Sequence, residues 1–196
     1  MIAIIDYKMG NLRSLMNALR SLGAEYVVTA DPTVIESASH VILPGVGNAA
    51  RAMDNLTEAG LVGVIRRLRR PVLGICVGMQ VMCRHSDEGD VDCIGIFDTR
   101  VRQFVPRPDL KVPHTGWDTI GNLESKLFRD VPSGSFVYYV HSFYAALCPD
   151  TIATTAVADP RMFSAALKYE NFYGTQFHPE KSGETGLKIL ENFIRL

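Results

Sequence analysis

Cys76 stands between Gly74 and Gly78 in the segment Pro71-Val-Leu-Gly-Ile-Cys76-Val-Gly-Met-Gln80. The apolar run Val72–Ile75 predicts a strand, and Met79, Met82 and Cys83 predict a helix running on to Arg84. A cysteine at that junction resembles the G-x-nucleophile-x-G elbow of α/β enzymes, with a thiol in place of a hydroxyl. A sharp turn of this kind holds the nucleophile in strained backbone, and its small neighbours let strand and helix approach closely. The N–H of Val77 then points at a developing oxyanion, and the start of a helix favours the thiolate. Alone, the segment fits a core cysteine in a glycine-bearing turn equally well.

A second constellation changes that balance. Gly174-Thr-Gln-Phe-His178-Pro-Glu180-Lys-Ser182 places His178 and Glu180 two apart, so in extended backbone both side chains leave the same side. A carboxylate there can hold an imidazole in one tautomer and stabilise its cation, the task of the acid in a catalytic triad. By itself the pair also fits a surface turn at a strand end. An elbow cysteine followed late in the chain by His-x-Glu favours nucleophilic catalysis.

The remaining candidates carry less. Pro44-Gly45-Val46-Gly47-Asn48-Ala49-Ala50 imitates a dinucleotide-binding turn, but the next strand ends at Ile75-Cys76 without the acid that would hold a ribose. The loop serves better as a second source of backbone N–H groups beside Cys76. His141 lies in an aromatic-rich strand, as core or pocket wall. His114 lies in a loop ahead of Gly116-Trp117 as a contact residue, and His40 and His85 read as surface or cap residues. No histidine pair has metal-ligand spacing and no G-x-x-x-x-G-K-[ST] loop occurs, so the expectation is no metal and no cofactor.

These groups need a scaffold. In the first half, short apolar runs at Met1–Ile5, Tyr26–Thr29, His40–Leu43 and Pro71–Ile75 alternate with helical periodicity after Asn11, over Thr33–Ser37, and from Met53 to Leu68 with a break near Gly60. That alternation predicts a mostly parallel sheet flanked by helices. The second half predicts strands at Val101–Phe104, Phe136–Tyr144 and Ile152–Val157. It also predicts a hairpin of Ala165–Tyr169 with Tyr173–Phe177, and a last helix over Gly183–Leu196. No repeat or linker divides the chain, so residues 1–196 read as one α/β domain.

Composition narrows the setting. Of 196 residues, 20 are Lys or Arg and 21 Asp or Glu, a net charge of −1 with no basic block, which argues against nucleic-acid binding. No apolar run is long enough to span a bilayer, and Met1–Asp6 lacks the basic start of a signal peptide. Four cysteines without a C-x-x-C pair fit reduced thiols, and the expected location is cytoplasmic.

The motifs GICVGMQ and QFHPEKS, with DYKMGN, PGVG and PHTGW, resemble class-I glutamine amidotransferases. Within that family they are similar to the glutaminase subunits of imidazole glycerol phosphate synthases of histidine biosynthesis. The resemblance covers essentially the whole chain and implies a flavodoxin-like fold with a nucleophile elbow. It implies Cys76 as the nucleophile, His178 as proton carrier and Glu180 as its orienting acid, with Val77 and, after a backbone adjustment, Val46 as oxyanion donors. Gly47, Gln80, Ser142 and Phe143 match positions that hold glutamine. Asn11, His114, Trp117, Tyr138 and Lys181 match positions facing a (β/α)8 synthase subunit that receives the ammonia. Lys8 stands where the family usually has glycine, Asp118 where it has asparagine, and Phe143 where tyrosine is common. Rival readings are a glutaminase serving another ammonia-accepting synthase, a cysteine hydrolase acting on a different substrate, and a non-catalytic binding module of the same fold.

Overall fold

A computed structural model describes residues 1–10, 12–158 and 161–196. The elements in chain order begin with β1 (Ile2–Ile5), α1 (Leu12–Ser21), β2 (Tyr26–Thr29), α2 (Pro32–Ser37) and β3 (His40–Leu43). They continue with α3 (Ala49–Glu58), α4 (Leu61–Arg67), β4 (Val72–Ile75) and α5 (Val77–Gln80). The second half adds β5 (Cys83–Ser86), β6 (Val91–Asp92), β7 (Phe97–Gln103), β8 (His114–Ile120) and β9 (Ser135–His141). It closes with β10 (Phe143–Ala145), β11 (Thr151–Ala158), β12 (Arg161–Tyr169), β13 (Phe172–Thr175) and α6 (Gly183–Ile194). Asn11, after which the helical periodicity begins, lies outside the described residues.

The main sheet has seven strands in the order β11-β12-β13-β4-β3-β1-β2. From β13 to β2 all neighbours run parallel, while β12 and β11 add an antiparallel edge. Strands β1, β4 and β13 are buried along their whole length, as expected of strands covered by helices on both faces. Leu15 and Leu19 of α1, Ile65 of α4 and Leu190 and Phe193 of α6 belong to the same core as Ile4, Ile42 and Leu73 of the sheet. Gly60, with φ 68°, separates α3 from α4 where the sequence suggests a break.

This order places the site. Strands β3, β4 and β13 are adjacent and parallel, so their C-terminal loops emerge together at one sheet end. Those loops carry Pro44–Asn48, Cys76 and Gln176–His178. Crevices beyond the carboxyl ends of parallel strands are where open α/β sheets bind ligands.

Three expectations are corrected. The helix predicted over Val77–Arg84 stops at Gln80 after one turn, and Cys83–Ser86 is a strand. The carbonyls of Val81, Met82 and Cys83 accept from the backbone N–H groups of Ile94, Ile96 and Gly95, which draws the chain into a small sheet of order β10-β7-β5-β6. A single turn carries little macrodipole, so the helix contributes less to the thiolate than a long one would. The segment around His114, read as a loop, is strand β8, paired with β9 over seven residue pairs from His114↔His141 to Ile120↔Ser135. The strand expected over Phe136–Tyr144 is divided at Ser142 into β9 and β10, which join different sheets.

Candidate active site

Cys76 has φ 54° and ψ −112°, a left-handed conformation that L residues avoid and that strained nucleophile turns use. Its amide still donates to the Thr175 carbonyl at 2.7 Å, so the sheet ladder holds the bend on one side. On the other side Gly78 lies against β3: a Cβ there would strike the Leu43 carbonyl. That close approach brings the Pro44–Gly47 loop beside the first turn of α5. Gly47, at φ 95°, gives the loop a turn that a side chain would strain.

His178 arrives from β13. Its amide donates to the Tyr138 carbonyl at 2.9 Å, and its carbonyl accepts from Ser182 Oγ at 2.6 Å. Its Nδ1 meets Glu180 Oε1 at 2.8 Å, with the two side chains 2% and 7% exposed. Nε2 is buried without a hydrogen-bond partner among the described residues, and it is the nitrogen left to carry a proton. Burial alone would lower the pKa of this imidazole. The Cys76 sulfur and the Glu180 carboxylate outweigh burial and hold the pKa raised, to about 10. The arrangement favours the imidazolium form of His178.

Cys76 and His178 line one cavity of about 280 Å³ together with Val46, Gly47, Val77, Gln80, Ser142 and Phe143. The structure therefore brings both members of the Cys–His pair, both expected oxyanion residues and all four expected glutamine-binding residues to the same space. His141 also lines it, but as a wall. Burial pushes the His141 pKa down to about 3, against the pull of its bond to the Phe143 carbonyl, so the ring is neutral. Its Nδ1 donates to that carbonyl at 2.7 Å, and its Nε2 accepts from His114 Nδ1 at 3.0 Å. Both nitrogens are spent.

Glu88 was not singled out from the sequence, yet it lines the cavity. Its carboxylate accepts from the Ala49 amide at 2.7 Å, at the start of α3. Burial raises its pKa, opposed by hydrogen bonds from Ala49 and Asn48. The residue comes from the turn between β5 and β6, twelve positions past the cysteine. No spacing rule reaches it from the elbow.

Residues 3–196 match the family described as glutamine amidotransferase class-I. The chain belongs to that family. The subunit HisH of imidazole glycerol phosphate synthase from Bacteroides thetaiotaomicron is 54% identical over 196 residues, covering 100% of this chain and 99% of the relative. The subunit of the same name from Xylella fastidiosa is 43% identical over 196 residues, with 100% and 97% covered. Among solved structures, PurLQS from Thermotoga maritima aligns with TM-score 0.70 at 18% identity, over 99% of this chain and 97% of that one. The glutaminase domain of Trypanosoma brucei CTPS aligns with TM-score 0.65 at 15% identity, over 99% and 93%. At those identities the likeness is one of fold.

Among the described residues, the positions expected to face a partner do not line the cavity. Trp117 and Tyr138 are paired across β8 and β9 with rings 6.0 Å apart, and Lys181 Nζ sits 5.8 Å above the Tyr138 ring. Phe136 and Val140 join Trp117 in exposure, so this ribbon presents an apolar outer face. His114 is turned the other way: only 15% of its side chain is exposed, and its ring packs on Tyr139 and His141. The partner-facing position expected at Asn11 is outside the described residues. Lys8, where the family usually has glycine, has φ 63°, a conformation that explains the glycine preference there. No cluster of metal-binding side chains occurs among the described residues.

Proposed function

We propose that the chain hydrolyses glutamine to glutamate and ammonia, as the glutaminase subunit of an imidazole glycerol phosphate synthase in histidine biosynthesis. The observation that carries the reading is the shared cavity in which Cys76 faces His178 while Glu180 holds the far side of the ring. Identity of 54% over the whole chain to a subunit of that synthase supports the pathway.

The chemistry follows from the geometry. The Glu88 carboxylate takes the α-ammonium of glutamine, and Gly47, Gln80, Ser142 and Phe143 enclose its amino-acid end. The Cys76 thiolate attacks the side-chain amide carbon. The oxyanion forms beside the Val77 N–H, and Val46 adds a second donor once the Pro44–Gly47 loop has turned. His178 passes its Nε2 proton to the departing nitrogen, the C–N bond breaks, and ammonia leaves behind a glutamyl thioester. Water then loses a proton to Nε2 and attacks, the C–S bond breaks, and glutamate departs.

Ammonia released into water at neutral pH would be protonated and lost as a nucleophile. A partner that receives it directly fits the apolar ribbon around Trp117 and Tyr138. That partner is a (β/α)8 subunit, the complex is a heterodimer, and the setting is the cytoplasm. A missing oxyanion donor costs roughly 10²–10³ in rate, so the free chain turns over slowly until its partner completes the hole.

The test is glutamate release from glutamine by the full chain, alone and with a (β/α)8 synthase subunit, with Cys76→Ala as control. Partner-dependent turnover that vanishes in the variant supports the reading. Equal turnover with and without the partner removes the activation step, and turnover only with a different synthase reassigns the pathway.

A further inference from the structure

Gln176 is fully buried between β13 and His178, and its Nε2 lies 3.7 Å from Cys76 Sγ. The orientation of this amide follows from its neighbours. The Phe143 carbonyl can only accept, so Gln80 must turn its NH₂ to it, at 2.9 Å. The same Gln80 nitrogen lies 3.0 Å from the oxygen of Gln176, and a donor there requires an acceptor opposite. The remaining end of Gln176, its NH₂, therefore faces the sulfur. The Phe143 carbonyl is itself pinned by Nδ1 of the neutral His141, which fixes the start of the sequence.

We propose that Gln176 is a catalytic residue whose amide N–H donates to the Cys76 thiolate, and that Gln80 is the positioning residue that aims it. This rests on the role of Cys76 as nucleophile stated above. The donor matters at two moments. Before attack it favours the charged sulfur over the thiol. When water has attacked the thioester and the C–S bond breaks, the electron pair returns to sulfur, and the same N–H receives it. A donor that lowers a thiol's pKa also blunts its attack, with a Brønsted slope of about 0.4–0.5, while it improves sulfur as a leaving group. The larger gain accordingly falls on thioester hydrolysis. Gln80 thus serves in more than substrate enclosure, because both its amide protons are already engaged by Phe143 and Gln176.

Other ionisable groups also face the sulfur or share its cavity. They are His178 backed by Glu180, Glu88 from the β5–β6 turn, His141 from β9, and Tyr7 after β1, whose hydroxyl is kept neutral by burial and by the sulfur's charge. A comparison at fixed surroundings isolates Gln176 from them.

The experiment is the pH profile of Cys76 alkylation by iodoacetamide in the full chain, for wild type, Gln176→Met and Gln176→Glu, with circular dichroism to check folding. A hydrogen bond to a charged acceptor is worth about a 10- to 100-fold factor in the thiol–thiolate equilibrium, so in Gln176→Met the midpoint of the alkylation profile should move upward by about one to two pH units, while the neutral-pH rate falls by less because the more basic thiolate attacks faster. Gln176→Glu keeps an acceptor for Gln80 but sets a carboxylate against the sulfur, and it should shift at least as far. Folded variants with the wild-type profile would overturn the proposal. If neither variant folds, nuclear magnetic resonance of the unaltered chain decides: the side-chain amide protons of Gln176 should titrate with Cys76 and move on its alkylation. Amide signals indifferent to both would equally refute the assignment. Neither readout uses glutamine, so a wild-type chain that alkylates normally but never hydrolyses glutamine contradicts the proposed function and leaves this donor standing.

Discussion

The amide of His178 donates to the carbonyl of Tyr138, so the imidazole of the site is anchored through its backbone to the ribbon whose outer face carries Trp117. A partner seated on that face would press on the strand that positions the proton carrier. Trp117 is 56% exposed and packs little against the core. Trp117→Ala should leave folding stability within about 0.5 kcal/mol of wild type, as surface substitutions do. Removing a central aromatic anchor costs an interface about 2 kcal/mol or more, so affinity for the synthase subunit should fall about 30-fold or more. Urea denaturation and a titration of partner-stimulated glutamate release check the two halves. A variant that unfolds more easily but binds normally would move Trp117 from interface to core.

Glu180→Gln keeps a side chain of the same shape beside His178 Nδ1 but removes the negative charge. With that charge the imidazole stays protonated well above the ordinary histidine range. In the proposed reaction the cation supplies the proton that departing ammonia needs, so activity should decline on the alkaline side as His178 deprotonates. Loss of the carboxylate destabilises the cation and lowers its pKa, and the alkaline limb of kcat/KM should move to lower pH. The rate itself should fall by about 10²-fold or more, because an amide can also hold the wrong tautomer. The same raised pKa adds stability to the folded chain. That contribution is complete below the unfolded histidine value of about 6.5 and fades as pH rises through the folded value. Urea midpoints measured from neutral to alkaline pH should therefore fall less steeply in Glu180→Gln than in wild type.

Glu88 offers a test of substrate recognition separate from chemistry. Glu88→Gln retains an oxygen for the Ala49 amide at the start of α3 but carries no charge for an α-ammonium. KM for glutamine should rise about tenfold or more, in line with loss of a charge-assisted hydrogen bond, with kcat much less affected. In wild type the raised pKa of Glu88 predicts that KM climbs on acidification before an ordinary glutamate would protonate. Steady-state kinetics at several pH values distinguish this from a stability effect. A change confined to kcat would remove Glu88 from the binding site.

The parallel half of the fold and the elbow were legible because their signals are local. Apolar runs four residues long between helical periods mark β1, β3 and β4, and glycine spacing marks Cys76. Strand β8 was missed because Pro113 and Gly116 read as turn residues, and its exposed Trp117 reverses the usual apolar-in pattern. Its strand character comes from pairing with β9, some twenty residues away. The short α5 was overextended because every residue from Val77 to Cys83 is buried, which erases the contrast between faces that periodicity needs. Glu88 and the amide of Gln176 reach the site only through tertiary contacts, with Ala49 and Gln80 respectively. Their residue types alone carried no sign of that.

Gly78 and Gly47 separate two ways in which glycine serves this site. At Gly78 the backbone is ordinary, but a Cβ would run into the Leu43 carbonyl, which is main chain within the central sheet and has nowhere to go. Gly78→Ala should force β3 and α5 apart at a cost of about 1–3 kcal/mol or more, the range for overpacked cores. It would also displace the Pro44–Gly47 loop from Val77 and lower activity. At Gly47 a Cβ would meet only the end of Met9 at 3.5 Å, so space is adequate, but φ 95° is hostile to any side chain. Gly47→Ala should cost about 1–3 kcal/mol of local strain that the exposed loop relieves by changing shape. Global stability should then hardly move, while glutamine turnover drops. Urea denaturation beside glutamate-release kinetics reads both. Equal loss of stability in the two variants would mean that the loop is as rigid as the sheet, and that it does not turn to bring the Val46 amide onto the oxyanion.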